Sequence, residues 1–179
     1  MMESSKNNIE KLCSFYVSDW HLVTMLLPYI NKEINEKANI ITILEKDIDK
    51  NVETLINKLN LKNREKILNL NWKKTNGIKY SEVKKNINKE ILEDKLNIIF
   101  INGKKSYMDM VNKNIDKLLS ENSKKYKEIN IKIINCFEVG DFNMNILDIL
   151  SEHSKILNTS GEKAINEVFD GYEEKANNM

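Results

Sequence analysis

Three runs constrain the fold of this chain more than anything else in it: Asn39–Leu44, Leu96–Ile101 and Ile131–Phe137, each nearly continuous in Ile, Leu and Phe. A strand buried on one face alternates apolar and polar residues. A run this unbroken suits a strand covered on both faces, as in a parallel sheet between helices. Leu12–Val17 and Lys66–Leu70 read as two further strands.

Amphipathic segments separate the runs. Ser18 or Asp19 can cap a helix whose stripe is Leu22, Leu26, Tyr29, Ile30 and Ile34, with Pro28 inside it. Further helices are expected from about Ile48 to Leu59, Tyr80 to Asp94, Ser106 to Ser120 and from Asn143, with a closing helix from Gly161 to Lys175. Regular alternation of this kind predicts an α/β domain: three layers, a mostly parallel central sheet of about five strands flanked by helices, with a Rossmann-type core. The 179 residues fit one such domain over 9–175, preceded by a flexible N-terminus at 1–8.

Charge narrows the partners. Lys and Arg number 28 against 27 Asp and Glu, a net +1, and Arg64 is the single arginine. Bidentate recognition of phosphates or bases is hard to build from that set, so direct nucleic-acid binding is not expected. No apolar stretch approaches a membrane span, and the polar segment Met1–Glu10 lacks a signal-peptide core, which implies no membrane association and a cytoplasmic address. Cys13 and Cys136 stand alone in apolar runs, which reads as two buried reduced thiols rather than a zinc or redox site. No metal and no cofactor is expected.

Phosphate chemistry is missing where such a fold would carry it. There is no GxxxxGK[ST], no GxGxxG and no GxSxG, and the turn after the first strand reads Val17-Ser18-Asp19-Trp20-His21. Asp19 would repel a phosphate placed over the helix that follows. In open α/β sheets, ligands bind at the carboxyl ends of the strands. That rule selects Tyr16, Ser18, Asp19, Trp20 and His21 after the first strand, Glu45 after the second and Trp72 after the third. Asn102 and Tyr107 follow the fourth, and Glu138, with Asp141 nearby, follows the fifth. Aromatic residues beside a few polar groups suit a small, partly apolar ligand. No catalytic group emerges: Asp19 with His21 lacks a third partner, and His21 and His153 are too far apart in sequence to argue a metal site.

Two stretches also resemble one family in the same order. Leu12-Cys13-Ser14-Phe15-Tyr16-Val17-Ser18-Asp19, then Leu27-Pro28-Tyr29-Ile30 and Asn35-Glu36-Lys37-Ala38-Asn39-Ile40, is similar to the opening of the MEDS domain (methanogen/methylotroph, DcmR sensory domain). Ile134-Asn135-Cys136-Phe137-Glu138-Val139, with Phe142, Leu147-Asp148, Leu150 and His153, is similar to that family's last strand and closing helix. The chain departs from the family pattern at Asn35, Glu138 and Ser154. The resemblance implies a RecA/KaiC-like core without ATPase motifs, acting as a sensor of small organic compounds. With the whole length used by the domain, it implies output through a separate protein partner such as a kinase or transcription regulator. A homo-oligomeric scaffold, or an enzyme or nucleotide binder with a degenerate site, are the alternative expectations.

Overall fold

The computed structural model describes residues 8–75, 79–140 and 145–169. The chain runs β1 (Ile9–Tyr16), α1 (Asp19–Asn35), β2 (Asn39–Leu44), α2 (Asp49–Ile56), α3 (Arg64–Leu68), α4 (Tyr80–Glu90) and β3 (Asn97–Gly103). It continues with α5 (Lys105–Glu121), α6 (Ser123–Tyr126), β4 (Ile131–Glu138), α7 (Ile146–Ser151), β5 (Lys155–Asn158), β6 (Gly161–Ala164) and α8 (Ile165–Val168). The strands form one sheet in the order β2-β3-β4-β1-β5-β6, parallel throughout except for the antiparallel β5–β6 pair.

The unbroken apolar runs do what their composition dictates. Every residue of β3 is buried, and five of the six in β2. Leu12, Tyr16, Leu44, Ile98, Phe100, Ile134 and Cys136 face α1, α2 and α3 on one side. Cys13, Ile41, Ile43, Ile99, Ile101, Ile131 and Ile133 face α4, α5 and α7 on the other. The result is the expected three-layer, Rossmann-like α/β architecture.

Two expectations are corrected. Lys66–Leu70 lies in the short helix α3 and the residues just past it, not in a strand. Ile67 is fully buried there, while Lys66 and Asn69 are exposed. A five-residue run, Lys-Ile-Leu-Asn-Leu, suits one helical turn as well as a strand. The closing helix expected over Gly161–Lys175 begins instead as a hairpin. Asn158 pairs with Gly161 around Thr159-Ser160, the Asn158 side chain accepts from Ser160 N at 2.9 Å, and Gly161 takes φ +102, where a side chain would be strained. Only α8 remains helical among its described residues. The hairpin adds two strands on the far side of β1, so the sheet has six. Asp141, Phe142, Asn143, the first seven residues and the tail from 170 lie outside the described residues.

Cys13 and Cys136 are free and fully buried, and burial pushes the Cys13 thiol up to about 12 and raises that of Cys136 as well. Neither is a thiolate near neutrality.

A buried ionic tie fastens the added hairpin. Lys132 on β4 reaches Glu162 on β6 at 3.0 and 3.2 Å, with side-chain exposures of 12% and 22%. Tyr29 donates to Glu162 at 3.1 Å. Glu33 is buried close by, and burial raises its pKa while Lys132 works to lower it. Lys132→Met therefore leaves two carboxylates without their cation. It should lower stability by about 3 kcal/mol near pH 7. Glu33, raised by burial and now without the opposing charge of Lys132, holds its proton more tightly in the folded variant than in the unfolded chain. The deficit should thus shrink as urea denaturation is repeated from pH 7 toward pH 4.

Candidate functional site

The carboxyl edge of the sheet is shaped by diverging connections. β1 leads into α1 on one face, whereas α7, the next described helix after the neighbouring β4, packs on the other. Adjacent strands whose connections part to opposite faces leave a crevice, the usual ligand position in such sheets. Tyr16 stands level with Glu138 at this point, and Val139 N donates to Tyr16 O at 2.8 Å.

The turn into α1 is made by local hydrogen bonds. Ser18 is the N-cap, its hydroxyl accepting from His21 N at 3.1 Å. His21 Nδ1 accepts from Val17 N at 3.1 Å, which assigns the ring proton to Nε2. Ser18 and His21 thus build the turn, and the turn leaves Val17 at 69% and Trp20 at 50% exposure. Val139 on the adjoining strand is exposed as well.

Lys46 joins the strand ends. It follows β2 by two residues and reaches past the end of β3 to Asp19 Oδ1 at 3.0 Å and Glu138 Oε1 at 3.4 Å. The buried Asp19 Oδ1 receives no well-aligned hydrogen bond, so its contact with the ammonium is essentially ionic. Burial opposes the Lys46 charge, but Asp19 and Glu138 outweigh it and its pKa is raised. Lys46 was not among the residues expected from sequence. Its signal was its position, directly after Glu45 at a strand end opposite two acids.

Beside this strap lie two fully buried polar side chains without partners. The Tyr16 hydroxyl and both amide atoms of Asn102 find no hydrogen bond among the described residues, at 0% and 1% exposure. Burial, then Glu138, Cys136, Asp19 and Glu45, pushes the Tyr16 pKa up, so the hydroxyl stays protonated. Each such orphan costs about 1–3 kcal/mol. Together they forfeit a large share of the 5–15 kcal/mol typical of a domain. A recess of about 420 Å3 opens next to Glu138, walled by Lys104, Val139 and Gly140.

Glu45, Tyr107 and Trp72 are at the same end of the sheet but serve packing. Glu45 Oε1 accepts from Lys104 N at 3.2 Å, placing its carboxylate at the start of α5, where the helix dipole favours an anion. Tyr107 donates to the carbonyls of Leu44 and Thr75, both at 3.2 Å. Trp72 is buried against α3, its indole donating to Ile67 O at 2.8 Å. Structure therefore brings Tyr16, Asp19, Asn102 and Glu138 together around Lys46, with Trp20 at the rim. Ser18 and His21 support from behind, and Trp72 stands apart. No cluster of three or more His, Cys, Asp or Glu suited to a metal occurs among the described residues.

A second cleft, of about 520 Å3, lies against the sheet face between α5 and α7. At its floor His153 Nδ1 donates to Ile149 O at 2.5 Å and Nε2 accepts from Asn135 at 2.9 Å, while Asn112 donates to Asn135 at 2.8 Å. These groups satisfy one another, so the cleft lacks the orphans of the strand-end site. His153 serves as a structural acceptor.

Comparison with protein-family models, with curated proteins and with solved structures finds no match. No helix among the described residues is long and apolar enough to cross a membrane.

Two outcomes follow for this end of the fold. A Cβ on Gly103 would sit 2.9 Å from both Glu45 Cβ and Tyr107 Cδ1. Gly103→Ala should lower stability by about 1–3 kcal/mol, measured by urea denaturation. Burial holds the His153 pKa below its ordinary 6.5. The unfolded chain then takes up the proton first as pH falls. This contribution is full above pH 6.5 and is lost progressively below it. Melting temperature should show that slope between pH 7 and 5, and His153→Gln should flatten it.

Proposed function

We propose that this protein is a non-enzymatic sensory or regulatory domain that binds a small organic ligand at the carboxyl edge of its sheet and reports occupancy to a separate protein. The observation that carries the reading is the pair of orphaned side chains, the Tyr16 hydroxyl and the Asn102 amide. Buried polar groups are partnered as a rule, and exceptions concentrate where a ligand supplies the partner. A polar head would pair with Tyr16 and Asn102, and an apolar body would lie against Val17, Trp20 and Val139. The recess beside Glu138 gives it room.

Signalling would follow from the same geometry. A ligand entering beneath Lys46 breaks the contacts to Asp19 and Glu138 and frees the turn that carries the exposed Val17 and Trp20. That apolar turn is the surface a kinase or transcription regulator would read, its population set by the ligand's differential affinity. This agrees with the sensory role implied by the MEDS-like stretches, whose Phe15-Tyr16 step supplies one of the two orphans.

Stability and binding should move in opposite directions at these residues. Tyr16→Phe removes an orphaned hydroxyl and should stabilise the protein by about 1 kcal/mol; Asn102→Leu should behave likewise. Both should abolish thermal stabilisation by compounds from a small-fragment library that protect the wild type. Variants that lose stability, or that keep full ligand protection, would contradict the reading.

A further inference from the structure

We infer that the ligand of this edge is a small organic primary amine, whose ammonium group replaces that of Lys46 between Asp19 and Glu138 and turns its third N–H to Tyr16 Oη or Asn102 Oδ1. The inference rests on the small-ligand reading above and specifies its chemistry. Three carboxylates, Asp19, Glu45 and Glu138, ring a strand-end site from which Val17, Trp20 and Val139 face solvent. An internal ammonium already occupies the gap between two of them, at 3.0 and 3.4 Å, so the gap has the dimensions an ammonium needs.

The orphans are the independent half of the argument. Lys46 reaches Asp19 and Glu138 but bonds to neither Tyr16 nor Asn102, although Tyr16 is level with Glu138 on the adjoining strand and Asn102 is level with Cys136, two residues before Glu138. Asn102 sits level with Leu44, and Glu45 N donates to Asn102 O at 3.1 Å, so the Lys46 chain leaves β2 directly alongside it. An ammonium has three donors. A free one, not tethered through a lysine stem, can give two to the carboxylates and the third to one of the deeper acceptors. An anion would meet the carboxylates unfavourably, and a neutral donor would gain a hydrogen bond from them but not the ionic attraction. The alkyl part of the amine would occupy the recess beside Glu138, toward Val139.

Three probes with the same number of carbons separate the possibilities: n-butylammonium, butyramide and butyrate, titrated by calorimetry and tryptophan fluorescence at low ionic strength. The amine should bind at least tenfold more tightly than the amide, with butyrate not binding, and added salt should weaken it. Lys46→Met removes the internal competitor. It should tighten butylammonium at least tenfold more than it tightens butyramide; Lys46→Gln provides the same test if the Met variant does not fold. Butyramide or butyrate binding as well as the amine, or no gain on removing Lys46, would overturn the amine assignment while leaving a small-ligand site standing. Absence of binding by all three probes overturns it too, and if the fragment library also gives no protection, the ligand reading falls with it.

Discussion

Burial of the central strands on both faces is the constraint from which the rest of this structure follows. β3 is buried at all seven positions and β4 at six of eight. Strands of that composition cannot face water, so helices must cover each side, and parallel neighbours require crossover connections that supply those helices. Because the crossovers run on both faces, α1 after β1 and α7 after β4 lie on opposite sides of the sheet, the arrangement that leaves a crevice at the strand ends. The position of the candidate site is thus a consequence of the same hydrophobic burial that stabilises the fold.

What lies in the crevice is costly to the folded state. The Tyr16 hydroxyl and Asn102 amide are buried and find no hydrogen-bond partner among the described residues. Leu or Phe at those positions would pack without penalty on the same apolar sheet face. Elsewhere the molecule satisfies its buried polar groups closely: Asn97 bonds to Leu92, Lys95 and Asn130, and Ser14 donates to Leu157 O. The contrast gives the strand-end orphans their weight. Lys46 adds a second tension, since it satisfies two carboxylates while holding the same gap closed.

The three long apolar runs were legible because their burial is written in composition. Asn39–Leu44 is β2 to the residue, and Leu96–Ile101 and Ile131–Phe137 differ from β3 and β4 only at their ends. Lys66–Leu70 was misread because a short run carries no period long enough to separate strand from helix. The hairpin at Asn158–Gly161 was hidden by the helix-favouring residues after it, although Asn-Thr-Ser-Gly is itself a turn signal. Strand-end position selected Tyr16, Asn102 and Glu138, which the fold places at the carboxyl edge, since that rule depends only on topology. It also selected Trp72 and Tyr107, whose hydrogen bonds to backbone carbonyls only tertiary structure reveals, and it passed over Lys46, whose partners come from β4 and α1.

The most direct test is a crystal structure of the protein with a compound that protects it thermally. The account predicts the compound's polar head within hydrogen-bond distance of both Tyr16 Oη and Asn102, with Lys46 drawn away from Asp19 and Glu138. A compound bound elsewhere, with ordered water bridging Tyr16 and Asn102 under an undisturbed Lys46, would contradict it.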